Sequence, residues 1–338
     1  MALAAKIFVS GGTGFVGAYV LHSLVERGYQ NIYALYRPGS DRSLLDPWVK
    51  SIHWIAGDVL DIVGLERYLE GCEVVIHAAA EISYHRRDIQ PMIHTNVQGT
   101  ANVINAALTC GVKNFIMVSS IAAIGGMHKN GTIDEDVEWR DDWYHSQYAW
   151  SKYLAELEVQ RGFAEGLSGS IVNPGVILGA LSWSRGTGQF FKHIYHGLKF
   201  YPGGITGFVD VRDVIEAILR LVEVEPQNER YVITAENMSY HEVFKLVAQA
   251  LGEPSPKYLI QPWMLKLVIP FAWIKEHIPG HKSTLTVELL RNTAGSSQYN
   301  NRKSKEKLGL QYRSVAQSIS ETAQIFKEHY PQFKLLSF

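Results

Sequence analysis

Cysteine is nearly absent from this chain: 338 residues hold two, Cys72 and Cys110. Two thiols make no disulfide framework, so the fold must be held by its core, as expected of a reducing, cytoplasmic compartment. Charge is sparse as well, 19% of residues against about 25% in an average soluble protein. The two signs cancel, 32 Lys+Arg facing 33 Asp+Glu. That balance leaves no electrostatic footprint for nucleic acid or an acidic membrane surface. Also missing is an apolar run of the ~20 residues that span a bilayer. The most apolar late segment, Trp263 to Ile274, is broken by Lys266 and Pro270. It reads as a buried or half-buried helix, with a helix lying on a membrane surface as the alternative. Met1 to Lys6 runs straight into a buried-looking strand, without the ordered regions of a secretion signal. What is abundant is apolar side chain, 46% of the chain, enough for a large core and incompatible with disorder. At about 150 residues per domain, the length allows roughly two domains or one large domain with an annexe.

The first half alternates short β-branched runs with longer helix-patterned stretches. Strands are expected at Ile7–Ser10, Ile32–Tyr36, Ile52–Ala56, Val74–Ile76, Phe115–Val118 and Ser170–Val172. Helices are expected over Phe15–Arg27, closed by Gly28, over Asp88–Thr109 and over Gln147–Gly162. Continuous apolar strands separated by helices mean a parallel sheet covered on both faces, a doubly wound α/β domain. After Pro174 helical stretches dominate: Gly188–Gly197, Val211–Glu223, Tyr240–Leu251, Trp263–Ile274, Thr286–Asn292 and Val315–His329. Tyr231–Thr234 reads as a strand returning to the sheet. The expected division is a dinucleotide-binding domain over 1–174, with 205–235 returning to it. A smaller, mostly helical substrate lobe takes 175–204 and 236–338.

Gly11-Gly12-Thr13-Gly14-Phe15-Val16-Gly17 lies between the first strand and the first helix. Glycines there permit a tight turn and let a pyrophosphate approach free backbone N–H groups at the helix's positive end. The alternative, a purely structural turn, is weaker because strand, turn and helix follow in the order a dinucleotide site requires. An NAD-type site places an acid ~20 residues on, against the ribose hydroxyls. The second strand instead ends Leu35-Tyr36-Arg37, with Ser40 and Arg42 following. An Arg at this place pairs with a 2′-phosphate, so NADP is preferred over NAD, unless Arg37 merely lies in solvent.

Tyr148 and Lys152 stand four residues apart, on one face of a helix. A cation beside a phenol favours phenolate and lowers its pKa from ~10. Tyr148 is thereby a candidate acid/base for an alcohol–carbonyl pair. Ser119-Ser120 ends the fifth strand, where a hydroxyl reaches a substrate oxygen. His193 and His196 share helical spacing, but no Cys or carboxylate completes a ligand set, so no metal is expected.

From about Lys6 to Tyr330 the chain resembles the extended short-chain dehydrogenase/reductases, the NAD-dependent epimerase/dehydratase group. The resemblance rests on Gly11–Gly17, Gly57-Asp58, His77-Ala78-Ala79-Ala80, Asn96-Val97-Gln98-Gly99-Thr100, Ser119-Ser120, Tyr148/Lys152, Asn173-Pro174-Gly175 and Val209-Asp210-Val211-Arg212-Asp213. Asn301-Arg302-Lys303-Ser304-Lys305, ahead of Leu308-Gly309, is similar to the family's last segment, so its basic character reads as a solvated helix face. The resemblance implies that Asp58 binds adenine, with a backbone contact from Val59. It implies that Ala78, Ala79 and Ala80 leave room for the ribose–pyrophosphate, and that Lys152 holds the nicotinamide ribose. Tyr148 becomes the acid/base and Ser120 the catalytic serine, with Ser119 the weaker candidate. Asn96 matches a helix-kinking asparagine with a proton-relay role, and Pro174 and Val176 lie beside the nicotinamide. A homodimer through 88–109 and 147–162 is also implied.

The family divides between nucleotide-sugar epimerases or dehydratases and reductases of less polar substrates. The former carry an Arg two residues before an aromatic, pairing with a diphosphate, where this chain has Thr206 before Phe208. Losing a bidentate cation removes much of a diphosphate's reason to bind, although Arg185, Lys192 and Lys199 remain as substitutes. Trp139, Trp143, Trp183, Phe190, Phe191, Tyr195 and Tyr201 crowd the substrate side. Aromatics at helical spacing are more often core than ligand wall, but the loops at 139–143 and 182–185 are poor places to bury three tryptophans. With Arg37, these features resemble the dihydroflavonol-reductase-like and 3β-hydroxysteroid-dehydrogenase-like branch. The expected function is an NAD(P)-dependent oxidoreductase acting on a small-molecule carbonyl or secondary alcohol. The alternatives are a nucleotide-sugar epimerase or dehydratase and a non-enzymatic dinucleotide sensor; relatives of the latter kind usually lose the Tyr or the Lys.

Overall fold

The early apolar runs form β1 (Lys6–Ser10), β2 (Asn31–Tyr36), β3 (His53–Ala56), β4 (Val74–His77) and β5 (Asn114–Val118) in the computed structural model. It describes residues 2–40, 49–125, 131–140, 145–180, 182–261, 264, 288 and 293–332. The later strands are β6 (Thr132–Ile133), β7 (Gly169–Pro174), β8 (Val176–Leu178), β9 (Phe200–Tyr201), β10 (Ile205–Asp210), β11 (Glu229–Ile233), β12 (Glu236–Ser239), β13 (Tyr258–Leu259) and β14 (Gln298–Tyr299). The α-helices are α1 (Phe15–Glu26), α2 (Ile62–Leu69), α3 (Ile89–Ile93), α4 (Gly99–Thr109), α5 (Gln147–Ala164), α6 (Gly188–Tyr195), α7 (Val211–Glu223), α8 (Tyr240–Leu251), α9 (Arg302–Leu308) and α10 (Val315–His329).

Among the described residues the main sheet has the order β11-β7-β5-β4-β1-β2-β3, every pair parallel. The chain leaves β1 toward β2 on one side and returns to β4 on the other. That reversal opens a crevice at the carboxyl ends of β1 and β4, where such sheets bind ligands. Side chains alternate across the strands. Ile7, Val9, Ile76 and Ile116 face a core built with α1, α7, α8 and α10. Phe8, Val75, Phe115 and Ile171 face α2, α4 and α5. Burial on both faces is why these strands read as continuous apolar runs.

Beyond Pro174, β8, β10 and β12 form a second sheet, while β11 pairs with β7 and extends the first. Arg212, buried at the start of α7, bonds Asp210 at 2.7 Å and Glu321 of α10 at 2.6 Å, fastening the end of β10 to the last helix. In the basic C-terminal segment, Lys303 and Lys307 of α9 reach Glu229 at 3.3 and 2.5 Å. The helices expected over Trp263–Ile274 and Thr286–Asn292 fall, apart from Met264 and Glu288, outside the described residues. No helix among the described residues is long and apolar enough to cross a membrane.

One expectation changes in a way that matters for the site. Asp88–Thr109 is not a uniform α-helix: a π-helical turn over His94–Gln98 separates α3 from α4. Beside it, the Thr100 hydroxyl donates to the Asn96 carbonyl at 2.6 Å, four residues back along the chain.

Candidate active site

The glycine turn lines the crevice, and two of its glycines leave no room for a side chain. Gly11 has φ 73°, and a Cβ there would sit 2.6 Å from the Ala79 nitrogen. A Cβ on Gly17 would sit 2.1 Å from the Gly11 carbonyl oxygen, so only glycine lets α1 start so close to the turn. Gly14 caps α1 with no side-chain bond to its first amides, in the arrangement that receives a phosphate. Asp58 follows β3 and accepts from the Leu60 amide at 3.0 Å, while the Val59 carbonyl takes the Asn102 amide at 3.1 Å. Arg37 directly follows β2, and its guanidinium bonds Glu81 at 2.8 Å on the segment after β4. Ser40 lies three residues on; Arg42 is outside the described residues. A backbone turn closed to a Cβ at Gly11 and Gly17, with a cation at the β2 end, fits a dinucleotide.

Behind the cradle runs a buried chain of hydrogen bonds whose direction is fixed. Thr100 spends its proton on Asn96, so its oxygen accepts from His77 Nε2 at 3.0 Å. His77 Nδ1 then accepts from the Ser10 hydroxyl at 2.7 Å, which ties the end of β1 to the end of β4. Acceptance at Nδ1 requires a neutral ring. Burial first, and the Lys152 charge second, hold its pKa down to about 3. The unfolded chain therefore takes up a proton below pH 6.5 that the folded chain refuses. The resulting stability is present above that pH and lost as pH falls toward about 3. His77→Gln should give a flatter dependence of the urea midpoint on pH across this window than the native chain. Parallel curves for the two proteins would contradict it.

Asn96, 1% exposed, accepts from the Glu81 amide at 2.7 Å and donates to the Glu81 carbonyl at 2.9 Å and to Ser151 at 3.0 Å. Its side chain is thus spent on shaping the segment after Ala78, Ala79 and Ala80. Across the crevice, Ser146 caps α5 by accepting from the Ala149 amide at 3.1 Å, and Glu288 accepts from the Gln147 amide. These contacts set the first turn, which carries Tyr148. Lys152, one turn on, donates to the Val118 carbonyl at 3.0 Å, just before Ser119 and Ser120. The Ser120 hydroxyl accepts from the Ala122 amide at 3.2 Å. Pro174 ends β7 and Val176 opens β8.

Electrostatics corrects the sequence expectation for Tyr148. Burial pushes its phenol up to about 12, outweighing the Ser120 hydroxyl that draws it down. Desolvation wins because the ring is 9% exposed and meets Tyr84 edge-on. Burial also pulls Lys152 down to about 8, against the attraction of Glu156. Near neutral pH the pair is therefore a neutral phenol with a mostly charged ammonium, the state suited to giving a proton.

The loop tryptophans need a second correction. Trp183 is 3% exposed and packs edge-on against Phe326 at 4.9 Å and Phe191 at 6.1 Å. Phe191 is fully buried, and Phe190 packs against Phe244. Trp183 and Phe191 belong to the core and Phe190 packs against it partly buried; Phe326 of α10 covers Trp183, in a stretch that looks like open loop in sequence. Trp139 stacks on His145 and Tyr153 at 3.7 and 4.3 Å, and Trp143 lies outside the described residues. Tyr195 stays half-exposed and Tyr201 stacks on His241. Thr206 sits in β10 opposite Met238.

Residues 7–234 match the family model described as the NAD dependent epimerase/dehydratase family. A protein of Synechocystis sp. provisionally named dihydroflavonol 4-reductase is 29% identical over 97% of this chain and 96% of its own length. Sterol demethylase protein B of Methylococcus capsulatus is 26% identical over 95% of this chain and 98% of its own. The solved structure of gox2253 superposes with a TM-score of 0.82 at 29% identity, covering 97% of this chain and 99% of that one.

Proposed function

We propose, for a chain that belongs to the NAD-dependent epimerase/dehydratase family, that it is an NADP-preferring oxidoreductase of an alicyclic or aromatic carbonyl compound and its secondary alcohol. The observation that carries this reading is the convergence of Tyr148, Lys152 and Ser120 beside the glycine cradle. A bound nicotinamide dinucleotide supplies or accepts the hydride there. Gly11, Gly12, Thr13, Gly14, Phe15, Val16 and Gly17 hold its pyrophosphate, and Asp58 and Val59 its adenine. Ala78, Ala79 and Ala80 pass beside the ribose–pyrophosphate, with Asn96 holding their segment in place. Pro174 and Val176 lie beside the nicotinamide, and Lys152 binds its ribose. The neutral Tyr148 phenol donates its proton to the substrate oxygen in reduction, while Ser120 donates a hydrogen bond to the same oxygen. Ser119 lies behind it, its amide bonded to the Val172 carbonyl at 2.7 Å. Lys152 contributes the positive field.

The substrate class rests on Thr206 and on the relatives, since the aromatic argument has lost Trp183 and Phe191 to the core and Phe190 to packing against it. Thr206 leaves β10 without the cation a sugar nucleotide's diphosphate would pair with. The two curated relatives carry names of flavonoid and sterol chemistry. Residues 1–174 with 205–235 form the dinucleotide half and 175–204 with 236–338 the substrate lobe, and a homodimer forms through 88–109 and 147–162, where Leu157 is 45% exposed. A cytoplasmic location completes the reading. The purified protein should arrive largely free of nucleotide and consume added NADPH with alicyclic or aromatic carbonyl compounds. It should neither bind nor convert UDP-, GDP- and dTDP-sugars. Tightly retained NAD together with sugar-nucleotide turnover at constant cofactor would transfer the assignment to the epimerase branch.

A further inference from the structure

Glu156 lies one helical turn beyond Lys152 on α5 with 3% of its surface exposed, and the proton transfer proposed above makes no use of it. A buried carboxylate is costly unless it is paired and hydrogen-bonded. Arg230 of β11 approaches Glu156 Oε2 at 3.5 Å, and Asn173 of β7 donates from Nδ2 to Oε1 at 2.5 Å. The same Asn173 nitrogen gives its second hydrogen to the Ser120 carbonyl at 3.0 Å. Arg230 also bonds the carbonyls of Glu135 and Val137 at 2.7 and 3.1 Å, which holds its guanidinium in place. Turning the Asn173 amide over would aim its oxygen at a carboxylate, so the charge on Glu156 selects the orientation that grips Ser120.

We propose that Glu156 and Asn173 are positioning residues: Glu156 orients the Asn173 amide, which fixes the peptide carrying the Ser120 hydroxyl, and its negative charge keeps Lys152 protonated. The inference rests on the roles proposed above for Ser120 and Lys152. Residues four apart on a helix are neighbours, and a nearby opposite charge holds a lysine in its charged form. The Glu156 charge opposes the desolvation that pulls Lys152 down, while burial raises the Glu156 pKa against the Ser119 hydroxyl, Arg230, Asn173 and Lys152. The other titratable groups near the pair are His77 from β4, Arg230 from β11 and Tyr148 on α5. His77 is held neutral down to about 3 and Tyr148 is pushed up to about 12, so neither changes charge near pH 8.

The test is NADPH binding, read by cofactor fluorescence from about pH 6 to about pH 10, with folding checked by circular dichroism. The native protein should lose affinity through an inflection near pH 8. Lys152→Met should erase that inflection. If it persists in Lys152→Met, the cofactor role of Lys152 fails, independently of Glu156. Glu156→Gln keeps an acceptor for Asn173 but no charge, and should move the inflection down by about one pH unit. Glu156→Asp, with its carboxylate drawn back by one methylene, should move it less than half as far. An inflection lost in Lys152→Met yet unmoved in a folded Glu156→Gln overturns the charge role. Should Glu156→Gln not fold, an unmoved inflection in Glu156→Asp overturns it instead. Asn173→Ala leaves the Glu156 charge in place, so its inflection should match the native one. Its kcat for the carbonyl compound reduced fastest should fall about tenfold, with the KM for NADPH within about twofold, as expected of a misplaced hydroxyl. Native kcat in Asn173→Ala overturns the orienting role.

Discussion

Tyr148→Phe is expected to lower turnover by about 10²–10⁴-fold while leaving the fold intact. The ring is 9% exposed and touches Tyr84 edge-on at 6.2 Å, and phenylalanine keeps both the volume and that contact. What disappears is the proton. Burial holds the native phenol in its acid form, pushed up to about 12, so at neutral pH nearly every Tyr148 is ready to donate. Ser120 cannot take over this role, because its own hydroxyl is a far weaker acid and its oxygen already accepts from the Ala122 amide at 3.2 Å. Ser120→Ala should therefore cost less than Tyr148→Phe, since it removes one hydrogen bond to the oxygen and leaves the proton in place. The measurement is kcat with NADPH and a carbonyl substrate beside a thermal melt of each variant. Near-native turnover in a folded Tyr148→Phe would remove Tyr148 from the acid/base role.

Why Tyr148 was legible in the sequence and Glu156 was not is a matter of what each residue type usually does. A Tyr and a Lys at helical spacing, after a strand ending in two serines, form a pattern with a chemical meaning. Glu156 looks like any charged residue on an amphipathic helix. Its burial depends on Arg230, 74 residues away, whose approach no local pattern encodes. The strands were readable for a simple reason: Val74-Val75-Ile76 and Phe115 to Val118 are apolar on both faces because helices cover both faces. Helix α2 carries little sequence signal although Asp61 caps it, accepting from the Gly64 amide at 3.1 Å. Eight residues with a glycine in the first turn give too short a period to stand out. The small sheet of β8, β10 and β12 is equally faint because its strands are short and their partners are distant in sequence. Trp183 shows the converse: a polar, glycine-flanked loop predicts exposure, and only the return of α10 buries it. Asn96 was found as a motif residue, yet its bonds to Glu81 and Ser151 come from tertiary packing around the π-helical turn.

Arg37→Asp is expected to reverse the cofactor preference, weakening NADPH by about ten- to a hundredfold while leaving NADH within a few-fold. A charge-assisted contact to phosphate is worth about 1.5–3 kcal/mol, which sets that range. The side chain is 58% exposed at the end of β2, so the substitution disturbs no core. Its partner is Glu81, at 2.8 Å on the segment that follows the three alanines. An exposed ion pair of this kind contributes about 0–1 kcal/mol, so its loss alone does not unfold the chain. The same pair bears on affinity: a 2′-phosphate must compete with Glu81 for the guanidinium and then lie near its carboxylate. Glu81→Gln should accordingly tighten NADPH several-fold and leave NADH unchanged, the opposite sign to Arg37→Asp. Calorimetric titration of both cofactors into the native protein and the two variants reads these shifts directly. Equal affinities for the two cofactors in the native protein, unaltered by either substitution, would take Arg37 out of the specificity argument and return NAD to first place.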